Sequence, residues 1–487
     1  MNQVFEFILQ MLSSGLGNLT AYLAAHVLLC LLPAFFIAGA MTALIPKETI
    51  TRYLGRNTPK YISYPASAAA GFLLAVCSCT VIPLFAGIYK KGAGLGPAIT
   101  FLFIAPAINV LALTYTGTVI GMDIAIARLF LSLLFGIGIG IVMSFIFQKE
   151  DTAHDKATDA LFAGQAKIRK PAVIFLLVLM ALLVAGTFQV AVLKNSYLEI
   201  NIPIQRASEF QDFLTALVPF DASQGEEGVT VQGVMLIVML VLIGLTAWKG
   251  IEHIHDGFTK WTWLSIGLVG FTLLIAALGI TTDTGGLTLH FTGKFFSVLL
   301  AIILLGWMLK SKLTRNEVRD TLWESWRFMK QIFPLLIVGV FVVGMLRELI
   351  RPEWVQTIAG NNSLVSNLVG VIFGVFMYFP TLVEVPIAQM FLNLGMHRGP
   401  LLAYLMSDPE LSLQSILITA TIIGKLKAWV YVFWVALFST LAGLIYGAWV
   451  DGTQLWVIGL YTALFLAVFV LVVGLINRRQ QAQMKTA

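Results

Sequence analysis

Two thiols with a single residue between them are candidate groups for chemistry in this chain. Cys77 and Cys79 enclose Ser78, with Thr80 directly after them and Pro83 a few residues later, in a stretch apolar enough to lie in lipid. Thiolates bind soft, thiophilic centres or exchange covalently with them. Irregular backbone survives in a bilayer only where protein covers it or water lines it. A proline-broken helix with thiols therefore predicts a substrate-binding turn made by residues 77–80.

An earlier apolar segment could add a third sulfur to this turn. Cys30 lies there, and His26 shares its helix face because the two are four residues apart. One nitrogen and three sulfurs would suit zinc. The alternative, which we prefer, is a core histidine beside cysteines that pack as small hydrophobes, so no metal or cofactor is expected. Three cysteines, none of them in a loop, argue against a disulfide framework.

Three acids in apolar segments of the second half are the next candidates. Glu384 stands two residues before Pro386, and Asp408 and Glu410 flank Pro409. An ionisable group at bilayer depth costs about 2.5 kcal/mol or more and is a functional candidate by default. We expect Glu384 to be the leading proton-relay or cation-coupling residue. Asp408 and Glu410 are further coupling candidates, although Asp408 is also well placed to cap the helix that follows.

A duplicated pattern of glycines and prolines positions these groups. An offset of 303 residues, the separation of Pro83 and Pro386, maps one set of residues onto another without a gap: Gly71, Gly92, Gly96-Pro97, Pro106 and Gly121 onto Gly374, Gly395, Gly399-Pro400, Pro409 and Gly424. Glycine and proline fix backbone shape, so a fold is repeated. Duplicated broken segments point to the binding site of a secondary transporter. Asn109 and Ser412 are equivalent in the repeat; they either line the site or satisfy carbonyls freed by the prolines.

Composition places the chain in a membrane. Hydrophobic residues make up 58% and charged residues 11%, and the mean hydropathy is +0.88. The net charge is +6, and the lysines and arginines are concentrated in a few loops. This is the positive-inside pattern of a membrane protein rather than a nucleic-acid-binding surface. Gly94 and Gly96 lack the G-K-[ST] that would complete a P-loop. The expected partners are a small-molecule substrate and the lipid bilayer, with no nucleic acid.

Loop charges assign an orientation to the repeats. The basic loop 148–170 is expected in the cytoplasm and the acidic loop 195–230 outside. Asp123 then falls outside while Lys425 and Lys427, at equivalent positions, fall inside, so the repeats are inverted. Between residues 62 and 88 lie two helical pieces of roughly 13 residues, too short to cross comfortably. The predicted fold is an all-α polytopic membrane protein with two inverted repeats, about ten spans and two re-entrant hairpins.

Four segments follow from these boundaries. The first transmembrane repeat occupies 1–148 and the second, inverted repeat 328–450. Between them, 149–327 holds a cytoplasmic loop, four spans and the acidic external loop. A final span and a cytoplasmic tail occupy 451–487.

The stretch CSCTVIPLFAGIYKKGAGLGPAITFLFIAPAINV resembles the signature region of the ArsP-type, or YraQ-like, predicted permeases. The resemblance covers both repeats, roughly residues 20–147 and 328–450. Some members export trivalent organoarsenicals and use membrane cysteines to bind them. The resemblance therefore implies a multi-pass protein of the bacterial inner membrane, with Cys77, Cys79 and, less securely, Cys30 as substrate ligands.

Several functions stay open at this point. The first is an exporter of a small thiophilic solute by alternating access, with proton entry at Glu384. A second is a permease for another solute, such as a sulfur compound or a divalent metal, in which the cysteines only pack. A membrane enzyme with Cys77 as nucleophile is a third, but no histidine is near it in sequence and we expect no enzyme. A channel fits two broken-helix repeats less well than a carrier. The oligomeric state is open, with a homo-oligomer among the alternatives.

Overall fold

The protein is built from α-helices and one small sheet. The structure is a computed structural model and describes residues 2–25, 27–45, 47–56, 58–73, 78–108, 110–152, 169–187, 191–203, 207–218, 229–283, 286–347, 352–376, 381–454, 456–460 and 462–463.

The helices are numbered in chain order. The first eight are α1 (Asn2–Ala25), α2 (Val27–Leu44), α3 (Lys47–Leu54), α4 (Lys60–Leu73), α5 (Ser78–Lys90), α6 (Leu95–Ala107), α7 (Val110–Val119) and α8 (Met122–Ile146). The middle of the chain gives α9 (Lys170–Thr187), α10 (Ala191–Lys194), α11 (Ala207–Leu217), α12 (Val231–Gly250), α13 (Lys260–Ala277), α14 (Gly293–Ser311) and α15 (Arg315–Arg347). The last six are α16 (Pro352–Ala359), α17 (Leu364–Phe376), α18 (Thr381–Asn393), α19 (Arg398–Leu411), α20 (Leu413–Ile423) and α21 (Lys425–Val450).

The chain divides into two compact units, each assembled from segments that are distant in sequence. The first unit comprises Met1–Pro46, Cys79–Gly87 and Ala166–Glu348. The second comprises Lys47–Ser78, Ile88–Gln165 and Leu349–Ala487. The four consecutive segments expected from the sequence follow chain order instead, and stay a prediction.

The first unit is held by close helix packing around an apolar centre. A Cβ atom at Gly39 of α2 would lie 2.6 Å from the backbone nitrogen of Ser325 in α15, so these helices meet at their backbones. Small residues at such crossings let membrane helices approach closely. Beside this crossing, α2, α9, α12, α13 and α14 bury a core that includes Leu32, Leu182, Ile243, Leu273 and Val298.

A three-stranded antiparallel sheet belongs to the first unit. Its strands β1 (Ser196–Ile202), β2 (Gly279–Asp283) and β3 (Gly286–Thr292) are ordered β1-β3-β2, with Glu199 and Gly279 both paired to His290. The all-helical expectation does not include this sheet. Apolar and polar residues alternate with a period of two in β1 and β3, which is the sequence pattern of a strand. Charge alone, when it is used to assign whole loops between spans, does not reveal this pattern.

Seven helices in the described part of the chain are long and apolar enough to cross a membrane: 95–119 (α6 with α7), 122–146, 231–250, 260–277, 293–311, 315–342 and 425–450. Five shorter apolar helices lie at 31–44, 80–90, 170–186, 364–376 and 413–423. The predicted class of α-helical, multi-pass membrane protein is therefore supported, while the count of about ten spans stays a prediction.

Helix bounds repeat at the offset found in the sequence. Residues 78–90 of α5 correspond to 381–393 of α18, with identical ends. Helices α6, α7 and α8 correspond in the same way to α19, α20 and α21, with ends that agree within one residue. Both copies break shortly after the equivalent prolines Pro106 and Pro409, at Ile108 in one and at Ser412 in the other. The duplicated glycines therefore predict helix ends, while Pro106 and Pro409 lie inside their helices.

Packing inside the second unit repeats as well. A Cβ atom at Gly140 of α8 would lie 2.6 Å from the carbonyl oxygen of Gly96 in α6. At the equivalent positions, a Cβ atom at Gly443 of α21 would lie 2.6 Å from the carbonyl oxygen of Gly399 in α19. The same glycine-to-glycine crossing is therefore built twice.

The equivalent helices α8 and α21 run antiparallel to each other. Asp123, at the start of α8, accepts a hydrogen bond of 2.8 Å from the hydroxyl of Tyr446 near the end of α21. Glu150, just beyond the end of α8, forms an ion pair of 3.1 Å with Lys427 at the start of α21. Between these ends, the rings of the equivalent residues Phe135 and Phe438 lie 5.0 Å apart.

Candidate functional site

A buried cluster of ionisable side chains lies within the second unit. Arg128, Glu384 and Asp408 are each fully buried, and Arg128 Nη2 lies 2.7 Å from Glu384 Oε1. The two atoms meet as an ion pair without the alignment of a hydrogen bond. The pair joins α8 of one repeat to α18 of the other.

Arg128 is fixed by the helix break between α6 and α7. Its Nε donates a hydrogen bond of 2.8 Å to the carbonyl oxygen of Ala107, and its Nη1 donates one of 3.2 Å to Thr116 Oγ1. Carbonyl groups in the last turn of a helix lack their usual intrahelical donor. The guanidinium therefore caps the end of α6 while its remaining edge faces Glu384, which leaves it little freedom to turn.

Asp408 is the unpaired member of the cluster. It lies in the last turn of α19, within electrostatic range of Glu384 and Arg128. Among the described residues, Glu384 Oε2 and both carboxylate oxygens of Asp408 accept no hydrogen bond. One guanidinium can balance only one of the two carboxylates. Burying an uncompensated charge costs several kcal/mol per ion, so the second carboxylate requires a proton or another cation.

Glu410 lies on a different side of α19 from Asp408. Residues two apart on an α-helix point roughly 200° away from each other, and Glu410 Oε2 accepts a hydrogen bond of 2.5 Å from the hydroxyl of Tyr431 in α21. Its other oxygen, Oε1, is buried and accepts no hydrogen bond among the described residues. The acids that the sequence grouped as coupling residues therefore occupy two separate places.

The predicted cap of α20 is a different residue. Helix α19 continues through Asp408 to Leu411, and α20 begins after Ser412. The Ser412 Oγ accepts a hydrogen bond of 3.3 Å from the backbone nitrogen of Ser415. The expectation that Asp408 caps this helix is wrong, because proline at 409 does not end α19, whereas the extended backbone of Ser412 does.

The predicted thiol site falls largely outside the described part of the structure. Cys77 and Asn109 lie outside the described residues, as does His26, and the side chains of Cys30, Ser78 and Cys79 are not described. Thr80 is fully buried on α5 in the first unit. Among the described residues, no group of three or more histidines, cysteines or acids could hold a metal ion. The thiol site stays a prediction.

Two residues of the site were missed by sequence reasoning. Arg128 is the sole charged residue between Ile124 and Phe147. A lone arginine in an apolar span is a functional candidate by the same rule that selected the acids, so the signal was present. Tyr431 occupies the position equivalent to Arg128 in the repeat, and it could have been found by aligning the two copies.

An ionisable cluster buried in a multi-pass helical protein is typical of transport proteins, which use such groups along ion and substrate pathways. The chain belongs to the ArsP_1 family of predicted permeases, whose family model matches residues 14–448.

Two curated relatives support this membership. The UPF0718 protein MJ0584 of Methanocaldococcus jannaschii is 32% identical over 445 residues, which cover 91% of this chain and 98% of the relative. The UPF0718 protein YcgR of Bacillus subtilis is 27% identical over 114 residues, which cover 23% of this chain and 38% of the relative. No solved structure matches the chain.

Proposed function

We propose that this protein is a proton-coupled permease of the bacterial inner membrane, which exports a small solute by alternating access. The observation that carries the proposal is the position of Asp408, buried and without a hydrogen-bond donor beside the Arg128–Glu384 ion pair. The carboxyl group of Asp408 can be buried there without a large energetic cost only in its protonated form, and it can release the proton when water reaches it.

The pairing redistributes the roles expected from the sequence. Glu384 remains part of the coupling site, but its contact with a guanidinium favours the ionised form of its carboxyl group. Asp408, which lacks such a partner, is the better proton carrier. Protonation of Asp408 and ionisation of Glu384 together leave the cluster electrically neutral, a condition for moving it through a low-dielectric layer.

Alternating access is supported by the antiparallel arrangement of equivalent helices. Asp123 meets Tyr446 at one end of α8 and α21, and Glu150 meets Lys427 at the other. These contacts agree with the loop charges, which assign the first end to the outside and the second to the cytoplasm. Two repeats of opposite orientation can exchange conformations around a site between the two membrane surfaces.

The proposed cargo is a soft, thiophilic solute of the trivalent organoarsenical type. Cys77 and Cys79, with Cys30, supply the thiols, and Ser78, Thr80 and Asn109 line the turn. Family membership and the preference of thiolates for soft centres support this choice. The alternative cargo is another small solute, with the cysteines serving only to pack.

The test uses the full-length protein reconstituted in liposomes, with trivalent methylarsenic as cargo and an imposed proton gradient as the driving force. Asp408→Asn should abolish gradient-driven uptake, whereas Asp320→Asn, which changes a half-exposed side chain, should leave it unchanged. Cys77→Ser/Cys79→Ser should abolish cargo transport in both the presence and the absence of a gradient.

Two results would contradict parts of the proposal. Undiminished gradient-driven transport by Asp408→Asn would remove the cluster from coupling. Undiminished transport by the cysteine variant would remove the thiols and favour the alternative cargo, which a screen of sulfur compounds and divalent metals in the same liposomes would then identify.

A further inference from the structure

We propose that Glu410 and Tyr431 form a second proton-binding site, separate from the Arg128 cluster and occupied by a proton at neutral pH. The proposal deepens the proton coupling proposed above and rests on it for its functional meaning. Its chemistry is a simple exchange: water takes a proton from the Glu410 carboxyl group as hydronium and later returns it.

The number of hydrogen-bond donors around the Glu410 carboxyl group, rather than the length of its one bond, favours a neutral carboxylic acid. Tyr431 donates to Glu410 Oε2 at 2.5 Å, and Oε1 is buried without a donor. A phenol can hydrogen-bond to the carbonyl oxygen of an un-ionised acid. An ionised carboxylate would instead bury one charge with a single neutral donor, which is far more costly.

The first repeat shows which hydrogen-bond donor stands at the position equivalent to Tyr431. Position 128 corresponds to 431, and position 107 corresponds to 410. In the first half a guanidinium on α8 donates to the backbone carbonyl of Ala107; in the second half a phenol on α21 donates to the carboxyl group of Glu410. The half that carries the acid therefore lacks the cation, and its donor is neutral.

Among the described residues, no cation reaches Glu410 from the helices that pack against α19. Helices α6, α17 and α20 contain no Asp, Glu, Lys, Arg or His. Arg128 on α8 pairs with Glu384 on α18 and interacts electrostatically with Asp408. The remaining cations pair at the helix ends, Arg398 with Asp123 and Lys427 with Glu150. Lys425 on α21 is exposed, which leaves the Tyr431 hydroxyl as the titratable group that touches Glu410 among the described residues.

Infrared spectroscopy of the purified full-length protein in lipid tests this without any substrate. The carbonyl stretch of protonated carboxylic acids is recorded at neutral pH in water and in deuterated water. We expect two solvent-sensitive bands: Glu410→Gln removes one, and Asp408→Asn removes the other. Tyr431→Phe should keep both bands and move only the Glu410 band to higher frequency, because it loses a hydrogen bond to its carbonyl.

The outcomes separate this inference from the proposed function. If Glu410→Gln removes no band and Tyr431→Phe moves none, Glu410 is ionised and the second site is refuted, whatever Asp408 does. If Asp408→Asn removes no band while Glu410→Gln removes one, the coupling role of the cluster fails and the second site stands. Tyr431→Phe keeps the test decisive if the glutamine variant does not fold.

Discussion

Arg128 Nη2 lies 2.7 Å from Glu384 Oε1, with both side chains at most 1% exposed. Removing one partner of a buried ion pair leaves an uncompensated charge and costs about 3–5 kcal/mol, whereas removing both can be close to neutral. The pair therefore predicts strong coupling between substitutions at the two positions.

A double-mutant cycle measures this coupling. Arg128→Gln and Glu384→Gln should each lower thermal stability in detergent strongly, and the double variant should recover most of the loss. Additive losses would show that the two groups do not act as a pair. Arg128→Gln carries an extra cost, since the carbonyl of Ala107 and the hydroxyl of Thr116 also lose a donor.

The crossing of α6 and α8 predicts intolerance to a single methyl group. At Gly140, an added Cβ atom would lie 2.1 Å from Thr100 Oγ1 and 2.6 Å from the Gly96 carbonyl oxygen. Gly140→Ala should destabilise the protein by about 1–3 kcal/mol through overpacking. Gly244→Ala is the matched control, because its Cβ atom would meet nothing within 4 Å and alanine favours a helix. Equal melting temperatures for the two variants would contradict this packing.

A surface carboxylate in the first unit predicts a pH dependence of stability. Hydrogen bonds from Lys330 and Trp326 to Glu252 hold the pKa of Glu252 below its usual value, against a smaller opposing effect of burial. A depressed pKa in the folded state means that the stabilisation is present above the unfolded pKa, about 4.3, and is lost as pH falls through the folded value.

Melting temperatures measured between neutral and acidic pH check the sign. Glu252→Gln should be less stable than the parent at neutral pH, and the gap should close as the pH falls below about 4. Asp320→Asn is the control, because its exposed ion pair with the neighbouring Arg319 contributes little. A gap that stays constant with pH would exclude the ionised form of Glu252 as its cause.

The sequence predicts the repeated arrangement of helices well, because glycines that permit a positive φ determine where helices end. Gly92 and Gly395 both have φ near +90°, and the short helices α5 and α18 end just before them. Glu384 and Asp408 are buried, as a charged residue in an apolar run predicts, whereas their coupling role stays a prediction.

Pairing was harder to predict, because it depends on contacts between distant segments. Arg128 and Glu384 are far apart in sequence, and nothing local indicates that the arginine faces that acid rather than Asp408. Placing Asp408 and Glu410 on different sides of α19 requires knowing that this helix continues through Pro409. Local rules favour a break there, but α19 continues to Leu411, and the hydroxyl of Ser412 caps α20 instead.

The proposed opposite orientation of the two repeats predicts opposite labelling of equivalent positions. Met122 and Lys425 are separated by the repeat offset, stand at the first residue of α8 and α21, and are both exposed. In intact cells, a membrane-impermeant maleimide should label Met122→Cys from outside. It should label Lys425→Cys only after the membrane is opened. The parent protein, tested in parallel, reports any background from its three cysteines. Labelling of both variants from one side would mean that α8 and α21 enter the membrane from the same face, and the inverted-repeat carrier would have to be abandoned.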